Sequence, residues 1–135
     1  MKTLAELEKG YEFPPASFDL SGEWVDGYVS AVEDGAIASL GGDLVPPMAV
    51  AALGVRALLE HAALPPGTLH AGQELAFCAP VPRGETLTAF ARVGSRGERA
   101  GWVLMGVDLR IERAGEAVMT GRGLLSFPVA EGAAA

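Results

Sequence analysis

The chain reads as an α+β protein in which one long helix is wrapped by a curved antiparallel β-sheet. Two observations lead there. Residues 46–64 (PPMAVAALGVRALLEHAAL) are apolar except at Arg56, Glu60 and His61. A surface helix carries only an apolar stripe, so a helix greasy nearly all round needs cover from other structure. At 1.5 Å per residue it would be about 25 Å long, roughly the width of a domain. Downstream, four long segments alternate apolar and polar residues and are parted by glycine-containing turns. That is the pattern of an antiparallel meander with one face on a core.

The elements follow in order. Residues 4–8 can form one helical turn. Tyr11-Glu12-Phe13 alternates as a short strand, stopped by Pro14-Pro15, which fix φ and remove two amide donors. Ser21 is a fair N-cap for a helix with Trp24, Tyr28, Ala31 and Val32 on one face, ended by Gly35. Residues 35–45 (GAIASLGGDLV) read as a loop. Pro46-Pro47 open the long helix, where the missing amides would have no intrahelical partner. Arg56 and Glu60 can pair along its polar edge, and Pro65-Pro66-Gly67 stops it.

In the first long strand Leu69, Ala71, Gln73, Leu75, Phe77 and Ala79 share one face, with His70, Glu74 and Cys78 on the other. Pro82-Arg83-Gly84 turns the chain. Leu87, Ala89, Ala91 and Val93 mark the second strand, turned at Ser95-Arg96-Gly97. Val103, Met105, Val107, Leu109 and Ile111 mark the third, with Asp108, Arg110 and Glu112 facing away. Ala114-Gly115 leads into a fourth with Ala117, Met119, Gly121, Gly123, Leu125 and Phe127. The 135 residues are expected to form one domain, with a core over about residues 10–128 and a disordered tail at 129–135.

Composition narrows the functions. The net charge of −7, without a basic run, argues against nucleic acid and against an anionic membrane surface. Cys78 is the single cysteine, so no intramolecular disulfide forms. The opening MKTLAELEKG carries charges where a signal peptide needs an apolar run. Residues 46–64 are at the short limit for a membrane span, carry Arg56 and Glu60 and open on two prolines, so a buried helix is expected. The cytoplasm is the expected compartment.

A short strand, a small helix, a long buried helix and four strands is an order that resembles the hotdog fold. Tyr28-Val29-Ser30-Ala31-Val32-Glu33-Asp34 resembles the Y-x-x-A-x-x-D segment of MaoC-like enoyl-thioester hydratases and dehydratases. Leu69-His70-Ala71-Gly72-Gln73-Glu74-Leu75, with Pro80 and Arg83-Gly84-Glu85-Thr86-Leu87, is similar to that family's strand and its following turn. Val45-Pro46-Pro47 is similar to the FAS1-like dehydratase branch. The likeness covers roughly residues 10–128 and rests on order and spacing together.

The resemblance implies (R)-specific hydration or dehydration of acyl thioesters on coenzyme A or acyl carrier protein. In the family's D-x-N-P-x-H motif, Asp and His hold and activate one water, while backbone amides polarise the thioester carbonyl. Asp34 matches the Asp. Ala36, Ile37 and Ser39 stand where Asn, Pro and His are expected. Serine does not replace an imidazole near neutral pH, because its proton is far too tightly held.

Asp34 and Ser39 are therefore the catalytic candidates, and Tyr28, Gly41, Gly42 and His70 the substrate-binding ones. Glu33 and Asp34 share a helix C-terminus, where the dipole and mutual repulsion favour a proton and ready one of them as a base; two solvated acids on a frayed end are the plain alternative. His70 is either a donor to a thioester carbonyl or a structural histidine. No ligand spacing for a metal occurs around it, and neither a metal nor a cofactor is expected. His61 suits the helix C-terminus, and Asp43 the N-terminus of the long helix. Cys78 reads as a buried inert thiol. Arg83, Arg96, Arg99 and Arg122 are either phosphate contacts at a rim or solvated turn residues.

Three functions fit: a hydratase or dehydratase, a pocket-shaping subunit whose partner supplies Asp and His, and a hotdog thioesterase. The lost His favours the second for the chain alone. Each expects an oligomer, since a single curved sheet leaves an edge strand and a helix flank exposed. A homodimer or larger homo-oligomer is the simplest form, and a heterodimer with a catalytic hotdog chain is what the second reading needs.

Overall fold

A computed structural model describes residues 2–20, 45, 47–82 and 84–129, apart from the side chains of residues 57–59. Lys2–Thr3 (β1) leads into a 3-10 turn at Leu4–Glu6. Ala16–Asp19 form β2, and Pro47–His61 form the long helix α1. Ala62–Ala63 (β3) pair in parallel with β1. Leu69–Phe77 (β4), Thr86–Arg99 (β5), Trp102–Arg113 (β6) and Glu116–Pro128 (β7) complete the chain. One antiparallel sheet has the order β2-β5-β6-β7-β4. The expected α+β arrangement, one helix against a curved antiparallel sheet, is what the chain adopts.

Several expectations are corrected. The four long strands are not one meander: β4 lies beside β7, at the edge, and only β5–β6–β7 run consecutively. Placing β4 there lets the α1 connection cross the sheet's inner face before the meander begins. Tyr11-Glu12-Phe13 makes a single bridge, Glu12 with Arg92, and the true strand follows Pro14-Pro15 as β2. α1 ends at His61 because the next two residues are drawn into β3 by β1. The expected turn at Ser95-Arg96-Gly97 is strand, and β5 instead turns at Ala100-Gly101. Both central residues there have positive φ, 52° and 82°, which gives the hand of turn that matches strand twist. Ala114-Gly115, with 51° and 85°, repeats the device where a turn is expected.

The core has two parts. In one, Ala49, Val50, Ala51 and Leu53 of α1 pack on Leu87, Ala89, Ile111 and Met119 of the sheet. In the other, Leu4, Leu7 and Phe13 of the N-terminal segment cover Val93, Met105, Val107 and Phe127. Arg96 holds that segment down, its Nε donating to the Leu7 carbonyl and its Nη2 to the Ala5 carbonyl, both at 3.1 Å. It is a structural clamp, not the solvated turn residue or rim contact its sequence position suggests. The expected pair on α1 is present, with Arg56 Nε 3.3 Å from Glu60 Oε1. No helix among the described residues is long and apolar enough to cross a membrane.

Phe127 is fully buried in the second core. Phe127→Ala removes a large side chain from a packed site, and its expected cost is about 3–5 kcal/mol, measured by urea unfolding at unchanged m-value.

Candidate functional site

A β-bulge decides which residues of β4 face the helix. Leu69 and His70 register with Ser126 and Leu125, but Gly72 registers with Leu124, leaving Ala71 as the extra residue. An extra residue shifts the alternation by one. His70 therefore joins Gln73, Leu75 and Phe77 on the inner side, opposite Leu125, Gly123, Gly121 and Met119. Strict alternation predicts the opposite side for His70, and Leu69 and Ala71 on the inside. The correction brings a polar ring to the helix face.

There His70 and Gln73 line a cavity of about 180 Å³. Gly54 and Val55 of α1 form one wall, and Val107, Leu109, Gly123 and Leu125 form the floor. Two glycines make the space. A Cβ on Gly54 would lie 3.2 Å from Leu109 Cδ1, and one on Gly123 would find His70 Nε2 nearest, at 3.9 Å. Gly121 serves the strand pairing instead. A Cβ there would come within 2.7 Å of the Glu74 carbonyl, so glycine lets β4 lie close on β7.

The lining is apolar apart from three side chains. Thr68 also borders the cavity, and its hydroxyl is already committed to the Pro65 carbonyl at 2.5 Å. His70 and Gln73 make no side-chain hydrogen bond to a described residue, and both are exposed along the β4 edge. An imidazole and a carboxamide can each donate and accept, which suits them to orient a carbonyl. An apolar recess with a few convergent polar groups is the ordinary form of a small-molecule site.

A second recess, of about 280 Å³, lies at the other end of β4 between Val45, Pro47, Val50, Phe77, Cys78 and Val118. The Val45 amide donates to the Val81 carbonyl at 2.7 Å, tying the end of the 35–45 segment to this wall. Cys78 is exposed there, not buried as its strand position suggests, because β4 is an edge strand. Asp34, Ser39, Tyr28, Gly41 and Gly42 lie outside the described residues, as do Trp24, Glu33, Asp43 and Arg83. Of the expected site residues, His70 alone can be placed. Gln73, Gly54 and Gly123 join it without having been expected there. Glycine within a strand or helix, a mark of close approach, is the signal in the sequence that could have found the last two. Among the described residues no group of three or more His, Cys, Asp or Glu gathers as a metal ion requires.

No family model matches the chain, and no curated protein matches it in sequence. Solved structures do match in fold. The 3R-hydroxyacyl-ACP dehydratase complex HadBC of Mycobacterium tuberculosis superposes with a TM-score of 0.72 at 24% identity, over 92% of this chain and 100% of that one. An (R)-hydratase of A. caviae involved in PHA biosynthesis gives 0.71 at 24% identity, over 91% and 98%. A mutant of the fluoroacetyl-CoA-specific thioesterase FlK gives 0.69 at 16% identity, over 91% and 90%. The chain has the hotdog fold of these proteins, as its resemblance to MaoC-like sequences implies.

Gly123→Leu extends a side chain into the cavity beneath His70. Its expected effect is loss of binding of an apolar fluorescent probe, read by titration, while the thermal unfolding midpoint changes little.

Proposed function

We propose that this chain binds an acyl thioester, carried on coenzyme A or acyl carrier protein, with the acyl group in the cavity between α1 and the inner face of β4. One observation carries the reading: an apolar recess with two hydrogen-bonding side chains, open along a sheet edge that has no strand partner among the described residues. β4 exposes Phe77 on its inner side, and α1 exposes Met48 and Val55. A second hotdog chain laid along β4 would cover these groups and roof the cavity.

In this reading Asp34 is the remaining polar group of the water-activating pair. Hydration needs a base to take a proton from water as oxygen bonds to the β-carbon, and an acid to return a proton to the α-carbon. Ser39 cannot serve as the imidazole does. The chain accordingly shapes the pocket, and a partner bearing the full Asp and His pair completes it, as a homologous subunit in a heterodimer. The homodimeric form would bind without turning over. Support for acyl thioesters comes from the sequence motif and from the cavity; the fold alone hosts both lyases and thioesterases.

Incubation with crotonyl-coenzyme A separates the readings. Expected for the chain alone is saturable binding by calorimetry with no loss of enoyl absorbance. Absorbance should fall once a His-bearing hotdog partner is co-expressed, and Asp34→Asn in this chain should then change the rate less than about tenfold if the partner supplies the chemistry. Rapid hydration by the chain alone makes it a complete enzyme with a relocated acid. Release of free thiol from a saturated acyl-coenzyme A makes it a thioesterase. Absence of acyl-coenzyme A binding in every form overturns the proposal.

A further inference from the structure

The sheet's outer face, turned away from α1, has no cover among the described residues. Its side chains form rows across the strands, because register partners point the same way. One row crosses four strands: Arg92 of β5 opposite Asp108 of β6, Asp108 opposite Arg122 of β7, and Arg122 opposite Glu74 of β4. The signs alternate, yet no ion pair forms between any two of the four. Arg122 donates instead to the neutral Ser95 hydroxyl. Towards the β5–β6 turn the rows are apolar, with Leu69 58%, Leu104 51% and Trp102 43% exposed. Clustered exposed apolar residues of this size mark an interaction surface.

We infer that this face is an interface between two copies of the chain, stacked sheet on sheet about a two-fold axis that runs along the strands between β6 and β7. Such an axis reverses every row. Reversal sets Glu74 of the second copy against Arg92, and Arg122 of the second copy against Asp108, each pair occurring twice. The next row, Phe90–Arg110–Thr120–Ala76, brings Phe90 onto Ala76 and Arg110 onto the Thr120 hydroxyl. In the apolar rows Leu69 falls on Gly97, where an added Cβ meets nothing within 4 Å. Leu104 falls on Ser126, and Trp102 on Pro128.

Large residues meet small ones and positive charges meet negative ones, as a contact between identical patches requires. An unrelated partner would impose no such reversal symmetry, and that selects a second copy as the occupant. Stacked sheets lie about 10 Å apart, and the charge row sits near the middle of its four strands. A carboxylate from the second copy is a stronger acceptor for Arg122 than the serine hydroxyl it now holds. The face is separate from the β4 edge, so the stack and an edge-paired dimer can coexist.

Sedimentation equilibrium on the full chain tests this. The expected results are self-association that Arg122→Glu weakens by about tenfold or more, that Leu104→Glu also weakens, and that Arg122→Glu combined with Asp108→Arg restores. The double variant keeps opposite signs facing under the same axis, and circular dichroism confirms that each variant is folded. An association constant unchanged in folded Arg122→Glu and Leu104→Glu means that copies pair elsewhere, and overturns the inference. A chain that stays single at all concentrations, or pairs only with a different protein, overturns it equally.

Discussion

Everything in this fold depends on covering one helix. α1 is built from alanine, glycine, valine and leucine, and small residues let it sit close on the sheet: Gly54 brings the helix backbone to within a methyl group's distance of Leu109. Burial of such surface is worth about 25 cal/mol per Å², and Ala49 and Leu53, against Leu87 and Ile111, are almost completely withdrawn from water. Met48 and Val55 remain exposed, so among the described residues a helix that reads as greasy all round is covered on one side, and the cavity lies beside Val55.

The long periodic elements are legible in the sequence and the local exceptions are not. The alternation of Val103, Met105, Val107, Leu109 and Ile111 gives β6 its buried face as expected. Positions where one residue is added or withheld escape, because period-2 reading assumes there are none. Ala71 is such an addition, and it reverses the side on which His70 is found. The shift of register between Val93 and Ser95 is another; it carries β5 through a stretch that reads as a turn and puts Arg96 on the N-terminal segment. Neighbour relations across the sheet are equally out of reach. Nothing local to residues 69–77 says that they pair with β7 and not β5.

That distinction governs what can be said of function. Hotdog folds serve several chemistries, so architecture leaves the reaction open and the side chains must decide it. Here the helix-facing side of β4 supplies an imidazole and a carboxamide, from His70 and Gln73. Each can donate and accept, which suits them to align a carbonyl. In the proposed reading the acid–base part falls to Asp34 and to a partner's histidine in place of Ser39.

The bulge at Ala71 also bears on how such a recess can diversify. Upstream of it only two residues of β4 remain, Leu69 and His70, and downstream the strand is pinned by the glycine contact at Gly121. Closing the bulge by sliding that short upstream piece one step would exchange a histidine for two aliphatic groups in the lining. The rest of the sheet would stay in register. A lineage carrying this irregularity therefore has two linings within reach of a slip at a strand end, one hydrogen-bonding and one greasy, with the same residues in the same order.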